Sequence, residues 1–271
     1  MAHAYVHGYA TRENERLQDQ ADTLVELLHH DTVYPAGSTV LEAGCGVGSQ
    51  TVTLAQRSPD AHFTSIDISA ASVAEAEQRV RAAGLTNVTF QQADLFALPF
   101  ARASFDHVFV CFVLEHLAHP VEALRLLTAL VRPGGTVTVI EGDHGSTSFH
   151  PDSDAARAAV QCQVELQRRA GGDANIGRRV YPLMVDAGLQ DVRVSPRMVY
   201  VDASQPALVE GFIRQTFTAM IEGVRTPALA ADLVSAEVFD AGIRDLYRTT
   251  QADGTFSYTF FKGVGHRSQT T

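Results

Sequence analysis

Apolar residues recur along this chain at two spacings, and the spacing changes at each turn signal. Between Thr11 and His30 the residues Leu17, Ala21, Leu24, Val25 and Leu28 fall on one helical stripe, with Glu13 and Glu15 at the positive end of that helix. "TVYPAGS" breaks the stripe, and "TVLEAG" follows as a short β-rich run bounded by turn residues, the first core strand. A helix is expected after Gly48, and "HFTSIDIS" forms strand two, ending near Asp67. Ser72 and Glu75 have the S-x-x-E spacing of a capping box, which predicts the start of a helix whose Val73, Ala76, Val80 and Ala83 face stops at Gly84. "NVTFQQAD" and "FDHVFVCF" are strands three and four. Pro120 then opens a helix carrying Leu124, Leu127 and Leu130, "RPGG" stops it, and "GTVTVIEG" is strand five.

A polar, alanine-rich helix is expected from Asp152 to Ala170, a further helix in "GRRVYPLMVDAGL", and strand six in "DVRVSPRMVYV". The alternation then fails. Residues 205–250 read as two more helices, and "TFSYTFFKGVG" supplies a last strand. Strands and helices that alternate in this way specify an α/β fold around a parallel sheet with right-handed crossovers. The two late helices carry Phe212, Phe217, Met220, Ile221, Phe239 and Tyr247, an apolar surface expected to close over a site as a lid.

Composition narrows the function. Of 271 residues 45% are hydrophobic and 19% charged, enough for one sizeable core with an elaboration. The formal charge of -10 argues against nucleic acid, whose phosphates are held by clustered Lys and Arg. Cys45, Cys111 and Cys162 are odd in number and lack metal-ligand spacing, which fits reduced thiols in a cytoplasmic protein. The N-terminal residues lack a basic region followed by an apolar stretch, and no window approaches the ~20 apolar residues of a membrane helix. Export and membrane insertion are therefore not expected.

The loop after strand one carries the chemistry. Gly44, Gly46 and Gly48 lie at the carboxyl edge of the sheet, where a doubly wound fold binds ligands. Their G-x-G-x-G spacing is not the G-x-G-x-x-G of a dinucleotide site, and no Gly-Lys-Ser or Gly-Lys-Thr follows to cradle phosphate. Glu42 beside the loop would repel a pyrophosphate and attract a cation. Asp67, at the end of strand two, is placed to accept ribose hydroxyls, and Asp94, after strand three, to meet an adenine amine. The set describes an adenosine bearing a cationic substituent.

These residues resemble the class I S-adenosylmethionine-dependent methyltransferases. "LEAGCGVG", "SIDIS", "QQADLFALPF", "FDHVFVCFVLEHL" and "LVRPGG" match that family's motifs in order over residues 38–142, whereas the rest of the chain matches only in outline. The resemblance implies a Rossmann-like, doubly wound, mostly parallel seven-stranded sheet with its last strand antiparallel, plus a helical lid. It divides the chain into an N-terminal segment covering the cofactor (1–37), a core (38–202 and 254–266) and a lid insertion (203–253). It implies that Glu42, Gly44, Gly46 and Gly48 hold the methionine end of S-adenosylmethionine, Asp67 and Ile68 the ribose and adenine, and Asp94 with Leu95 the adenine amine. Cys111 and Val113 would line the sulfonium's surroundings. Tyr9 takes a position where family members fold an aromatic over the cofactor, and Gln20 faces its carboxylate end.

Methyl transfer is an in-line displacement, so positioning dominates, and a base is needed only where the acceptor must lose a proton. Candidates cluster after strands four and five: Glu115 and His116 in "LEHL", then Glu141, Asp143, His144, Phe149 and His150. His144 is expected as the base, with His116 and Glu115 beside the cofactor, and Asp143, Phe149 and Phe217 on the acceptor. No metal is expected, because the paired Asp-Asn of metal-dependent members is missing after strand five. The base-modifying members' "N-P-P-Y"-like signature is also absent, so the expected partner is a small-molecule acceptor, with a homodimer left open. A protein-directed methyltransferase and a non-catalytic, cofactor-binding partner subunit are the alternatives, although intact Glu42, Asp67 and Asp94 argue against decay. A nicotinamide oxidoreductase would need its third glycine one residue later and no Glu42.

Overall fold

The computed structural model describes residues 24–269. Seven strands, β1 (Thr39–Ala43), β2 (His62–Asp67), β3 (Val88–Gln92), β4 (Phe105–Cys111), β5 (Val131–His150), β6 (Gln190–Asp202) and β7 (Thr255–His266), form one sheet in the order β3-β2-β1-β4-β5-β7-β6. Neighbours from β3 to β5 are parallel, and β7 runs antiparallel to both β5 and β6. This is the Rossmann-like α/β sheet with an antiparallel last strand that the sequence implied. Strand order reverses between β1 and β4, which places the crevice for a ligand at their carboxyl ends.

The inner strands read as almost unbroken apolar runs because helices cover both faces. One face carries Val40, Phe63, Phe109, Ile140, Phe256 and Phe260, packed beneath residues 24–29 and helix α1 (Ser49–Arg57). The other carries Leu41, Ile66, Val110 and Val139, packed against α3 (Pro120–Leu130) and α5 (Val180–Asp186). Between these in sequence lie α2 (Ala70–Ala82) and α4 (Asp154–Arg169).

Two local expectations change. Helix α2 starts at Ala70, capped by Ser69, whose hydroxyl accepts from the Ser72 amide at 3.2 Å. Ser69 has the extended backbone an N-cap needs, so Ser72 falls inside the first turn and Glu75 pairs with Arg79 at 3.3 Å instead of closing a capping box. Strand β5 also runs on past Gly142: its pairing with β7 breaks between Asp143 and Ser148 and resumes through His150. Phe149 therefore belongs to a strand, and His144 lies in the bulge.

The late helices are α6 (206–223), α7 (Arg225–Ala230) and α8 (Ala236–Arg248). The stretch Val209–Thr218 of α6 is wound as a π-helix. Five-residue winding carries Phe212 and Phe217 to the same side, where their rings lie 6.0 and 5.7 Å from Tyr258. Gly242 of α8 sits so close to the Ala155 carbonyl of α4 that a β-carbon would collide with it. Phe239, Ile243 and Leu246 are buried from that helix, each stabilising the packing by roughly 1.5–3 kcal/mol. Lys262 of β7 is buried with its ammonium 2.6 Å from Asp31 and 2.6 Å from the Thr32 hydroxyl, tying the chain before β1 to the far side of the sheet.

Candidate active site

The glycine loop is shaped by its neighbours on one side and left clear on the other. Gly48 has φ 82°, and a β-carbon there would lie 2.9 Å from the Ala76 backbone of α2. Gly46, at φ 52°, would carry its β-carbon into space with nothing within 4 Å. One glycine lets a helix approach, and the other leaves room for a ligand. Gly44 packs on the Val113 side chain, which a β-carbon would strike.

Both loop carboxylates are held in place. Glu42 is 2% exposed, and one of its oxygens accepts from the Thr51 hydroxyl at 2.7 Å and the Ser65 hydroxyl at 2.6 Å. Burial pushes its carboxyl up to about 7, against the pull of those donors, with the charge of Asp67 adding to the rise. Asp67 accepts from the Gly46 amide and the Ser69 amide, each at 2.9 Å, and burial raises its pKa. Ile68, next in line, is 54% exposed, an apolar platform beside the loop. Asp94 is exposed, accepting from the Phe96 amide at 2.9 Å, and Leu95 is half-buried beside it.

At the exit of β4, Cys111 is buried and burial pushes its thiol up. Phe112 then takes φ 57°, an uncommon left-handed conformation for an aromatic residue, turning the chain into Val113 and a short 3-10 turn, Leu114–His116. Glu141 of β5 fixes this turn, accepting from the Val113 amide at 3.1 Å and the Leu114 amide at 2.8 Å. Burial, together with nearby Glu115, holds the Glu141 carboxyl well above the usual carboxylate range. The His116 ring nitrogen Nε2 lies 3.5 Å from Glu115. Gln167 of α4 donates to the Glu115 carbonyl at 2.9 Å and to its carboxylate at 3.3 Å.

The bulge within β5 is clamped by the segment following α4. Both oxygens of Asp143 are engaged by Arg178, at 2.8 and 2.7 Å. The His144 amide donates to the Ala174 carbonyl at 3.0 Å, and the Gly145 amide to the Asn175 side chain at 2.8 Å. Around His144 the aromatic rings close in: Phe217 at 6.2 Å and Tyr258 at 5.6 Å, with Phe149 stacked on Phe256 at 6.5 Å. Contacts run unbroken from the glycine loop to this group, through Gly44 and Val113, then Phe112 against Phe260 at 5.6 Å and Phe260 against Tyr258 at 4.7 Å.

Thus Glu42, the three glycines, Asp67, Cys111, Val113, Glu115, His116, Asp143, His144, Phe149 and Phe217 gather along one edge of the sheet, with Asp94 and Leu95 at its β3 end. Tyr9 and Gln20 lie outside the described residues. Sequence reasoning passed over Gln167, Arg178 and Tyr258. Gln163 and Gln167, four apart on the buried face of α4, were the available sign for the first. Tyr258 alternates with Phe256 and Phe260, which assigns its face but not its partner. For Arg178 there was none, since its pairing with Asp143 depends on a loop path that no periodicity encodes.

Residues 40–135 match the family model of a methyltransferase domain. The chain is 33% identical over 198 residues, 72% of its own length and 56% of the other, to a 37.1 kDa protein in a Streptomyces fradiae transposon. It is 31% identical over 134 residues, 49% of each chain, to 27-O-demethylrifamycin SV methyltransferase of Amycolatopsis mediterranei. In fold it resembles the Haemonchus contortus phosphoethanolamine N-methyltransferase 2 solved with S-adenosyl-L-methionine, at a TM-score of 0.57 and 17% identity, over 93% of this chain and 53% of that one. Residues 40–135 are thus a methyltransferase domain, set on a Rossmann-like sheet. The chain spans about half the length of these relatives. Among the described residues, no helix is long and apolar enough to cross a membrane, and no cluster of His, Cys, Asp and Glu has the arrangement of a metal site.

Proposed function

We propose that this chain transfers a methyl group from S-adenosylmethionine to a small hydrophobic or aromatic metabolite at oxygen, nitrogen or carbon. The observation that carries the reading is the glycine loop, open at Gly46 and flanked by Glu42 and Asp67, joined by continuous contacts to the aromatic group around His144. The donor set fits the cofactor. A buried carboxylate with two hydroxyl donors suits an ammonium, a second carboxylate suits ribose hydroxyls, and an exposed isoleucine suits an adenine face. When bound, that cofactor supplies an electrophilic methyl on a sulfonium.

Glu42, Gly44, Gly46 and Gly48 would hold its methionine end, Asp67 and Ile68 the ribose and adenine, Asp94 and Leu95 the adenine amine, and Cys111 and Val113 the surroundings of the sulfonium. Residues 1–37, with Tyr9 and Gln20, would cover it. The remaining residues orient the acceptor and, where it carries a proton, remove it. His144 is the base, Phe149 and Phe217 contact the acceptor, and Asp143 shapes its approach through Arg178. Glu115 and His116 order the β4 exit. Residues 203–253 form the lid, closing the aromatic group from water. The Amycolatopsis relative is named for 27-O-demethylrifamycin SV, which supports a small-molecule acceptor here.

Titration calorimetry with S-adenosylhomocysteine tests the cofactor half. Saturable binding is expected, weakened about 100-fold in Asp67→Ala by loss of charged hydrogen bonds to the ribose. Binding of NADH in its place would overturn the reading. A metabolite panel with radiolabelled cofactor tests the acceptor half: turnover on apolar ring compounds is expected, whereas label appearing only in protein would reassign the substrate.

A further inference from the structure

His144 has one ring nitrogen whose surroundings decide the state of the other. Its Nδ1 lies 3.0 Å from the Ala174 carbonyl oxygen and 3.1 Å from the Tyr258 hydroxyl oxygen. A carbonyl oxygen only accepts, whereas a phenol can accept or donate. A lone pair on Nδ1 would satisfy the phenol and face the carbonyl repulsively. A proton there satisfies both, shared between the two oxygens.

The surroundings are built to keep this arrangement. The His144 amide also donates to Ala174, so backbone and ring are referred to one carbonyl. Tyr258 meets the imidazole edge to face at 81°, with Phe217 against the ring at 36°. Gly142 sits where any β-carbon would collide with the Tyr258 hydroxyl, so the residue two positions before His144 has given up its side chain to make room for it. Tyr258 itself is buried, which holds its hydroxyl in the protonated form. Among the described residues, the charges that act on Tyr258 are Glu115 of the 3-10 turn and Asp143 and Glu141 of β5, with Arg178 paired to Asp143; His116 of the turn, Asp173 beside Ala174 and Lys262 of β7 are further ionisable groups on these elements.

We propose that Tyr258 is a positioning residue: together with the Ala174 carbonyl it fixes His144 as the Nδ1–H tautomer, leaving the lone pair on Nε2 to take a proton from the methyl acceptor. The inference rests on the reading of His144 as the base. A proton leaving an acceptor O–H or N–H goes to Nε2, and the resulting imidazolium keeps its Nδ1–H on Ala174 and Tyr258. Tyr258 thereby stabilises the charged ring more than the neutral one.

Nitrogen NMR of the full-length protein labelled with ¹⁵N-histidine reads this directly and needs no acceptor. The His144 signals, assigned by their loss in His144→Gln, are expected to show a protonated Nδ1 and an unprotonated Nε2 at pH 8. In Tyr258→Phe the His144 pKa should fall by about half a unit to one unit, because the imidazolium loses an acceptor. Gly142→Ala, which displaces the hydroxyl, should move it in the same direction. An Nε2–H tautomer in the wild-type protein, or a pKa that rises or stays fixed in Tyr258→Phe, overturns the proposal. The wild-type tautomer stands as a test even if a variant fails to fold. Turnover on a panel acceptor separates the underlying reading: full activity in His144→Gln with the Nδ1–H tautomer present removes His144 as base and leaves the ring geometry intact.

Discussion

The two ends of the site's sheet edge are held by different means. On the β1–β2 side the candidate groups are fixed from within one strand–helix–strand unit, by backbone amides and hydroxyls around Glu42 and Asp67. On the β5–β7 side they are fixed by side chains from remote segments: Arg178 on Asp143, Tyr258 at His144 and Gln167 on Glu115. The first arrangement suits a site for one invariant ligand, the role proposed for it with the cofactor, and changes little if a distant helix moves. The second can be altered by substitutions far away in sequence, which suits the part of a methyltransferase that has to vary with its acceptor.

If the two sides are separable, removing core volume from the acceptor side should cost stability without touching cofactor affinity. Phe217 is buried, 4.8 Å from Phe256 and 5.7 Å from Tyr258. Phe217→Ala should destabilise the protein by about 3–5 kcal/mol in urea unfolding. Affinity for S-adenosylhomocysteine should stay within about twofold of the wild type, a difference of under ~0.5 kcal/mol. A parallel fall in both quantities would show one cooperative site.

The converse substitution lies in the loop. Gly48→Ala places a β-carbon 2.9 Å from the Ala76 backbone at φ 82°. The left-handed backbone costs ~1–2 kcal/mol and the forced contact ~1–3 kcal/mol, so a loss of about 2–5 kcal/mol is expected, accompanied here by weaker cofactor binding. Unchanged calorimetry with a lowered melting temperature would separate loop geometry from binding.

The same division governs what was legible in the sequence. The glycine loop, Glu42 and Asp67 lie within two strands and their turns, and local pattern locates such groups at a sheet edge. The doubly wound, mostly parallel seven-stranded sheet and its antiparallel last strand came through the family resemblance and are present in the fold, while the strand order itself is read from the structure. The capping serine was misplaced by three residues, because Ser69 and Ser72 both precede the apolar face and only the extended backbone of Ser69 decides between them. The helix from Asp152 had no role in the sequence, and its buried Gln167 acquires one only when the fold brings it to Glu115, which no period along a helix can announce. The bulge in β5 was likewise hidden: strand five was expected to end at Gly142, but β7 pairs with Asp143 and again with Ser148 to His150.

Glu42 offers the finest test of the short-range side, through its proton. Burial raises its pKa from 4.5 to about 7, so between those values the folded protein binds more protons than the unfolded chain. The contribution of Glu42 to stability is therefore greatest below that window and declines as pH rises through it. An ammonium placed beside the carboxylate reverses the bias by favouring ionisation. Binding of S-adenosylhomocysteine should then release about half a proton at pH 7, read from the dependence of the binding enthalpy on buffer ionisation heat. Affinity should weaken about tenfold from pH 8 to pH 6, a change worth roughly 1.4 kcal/mol. Glu42→Gln should bind more weakly at pH 8, with both the proton release and the pH slope flattened, because an amide accepts from the ammonium without titrating. A slope that persists in Glu42→Gln would assign the proton elsewhere, and Asp67, 2.9 Å from the Gly46 amide with its own pKa raised by burial, is the group that would then carry it.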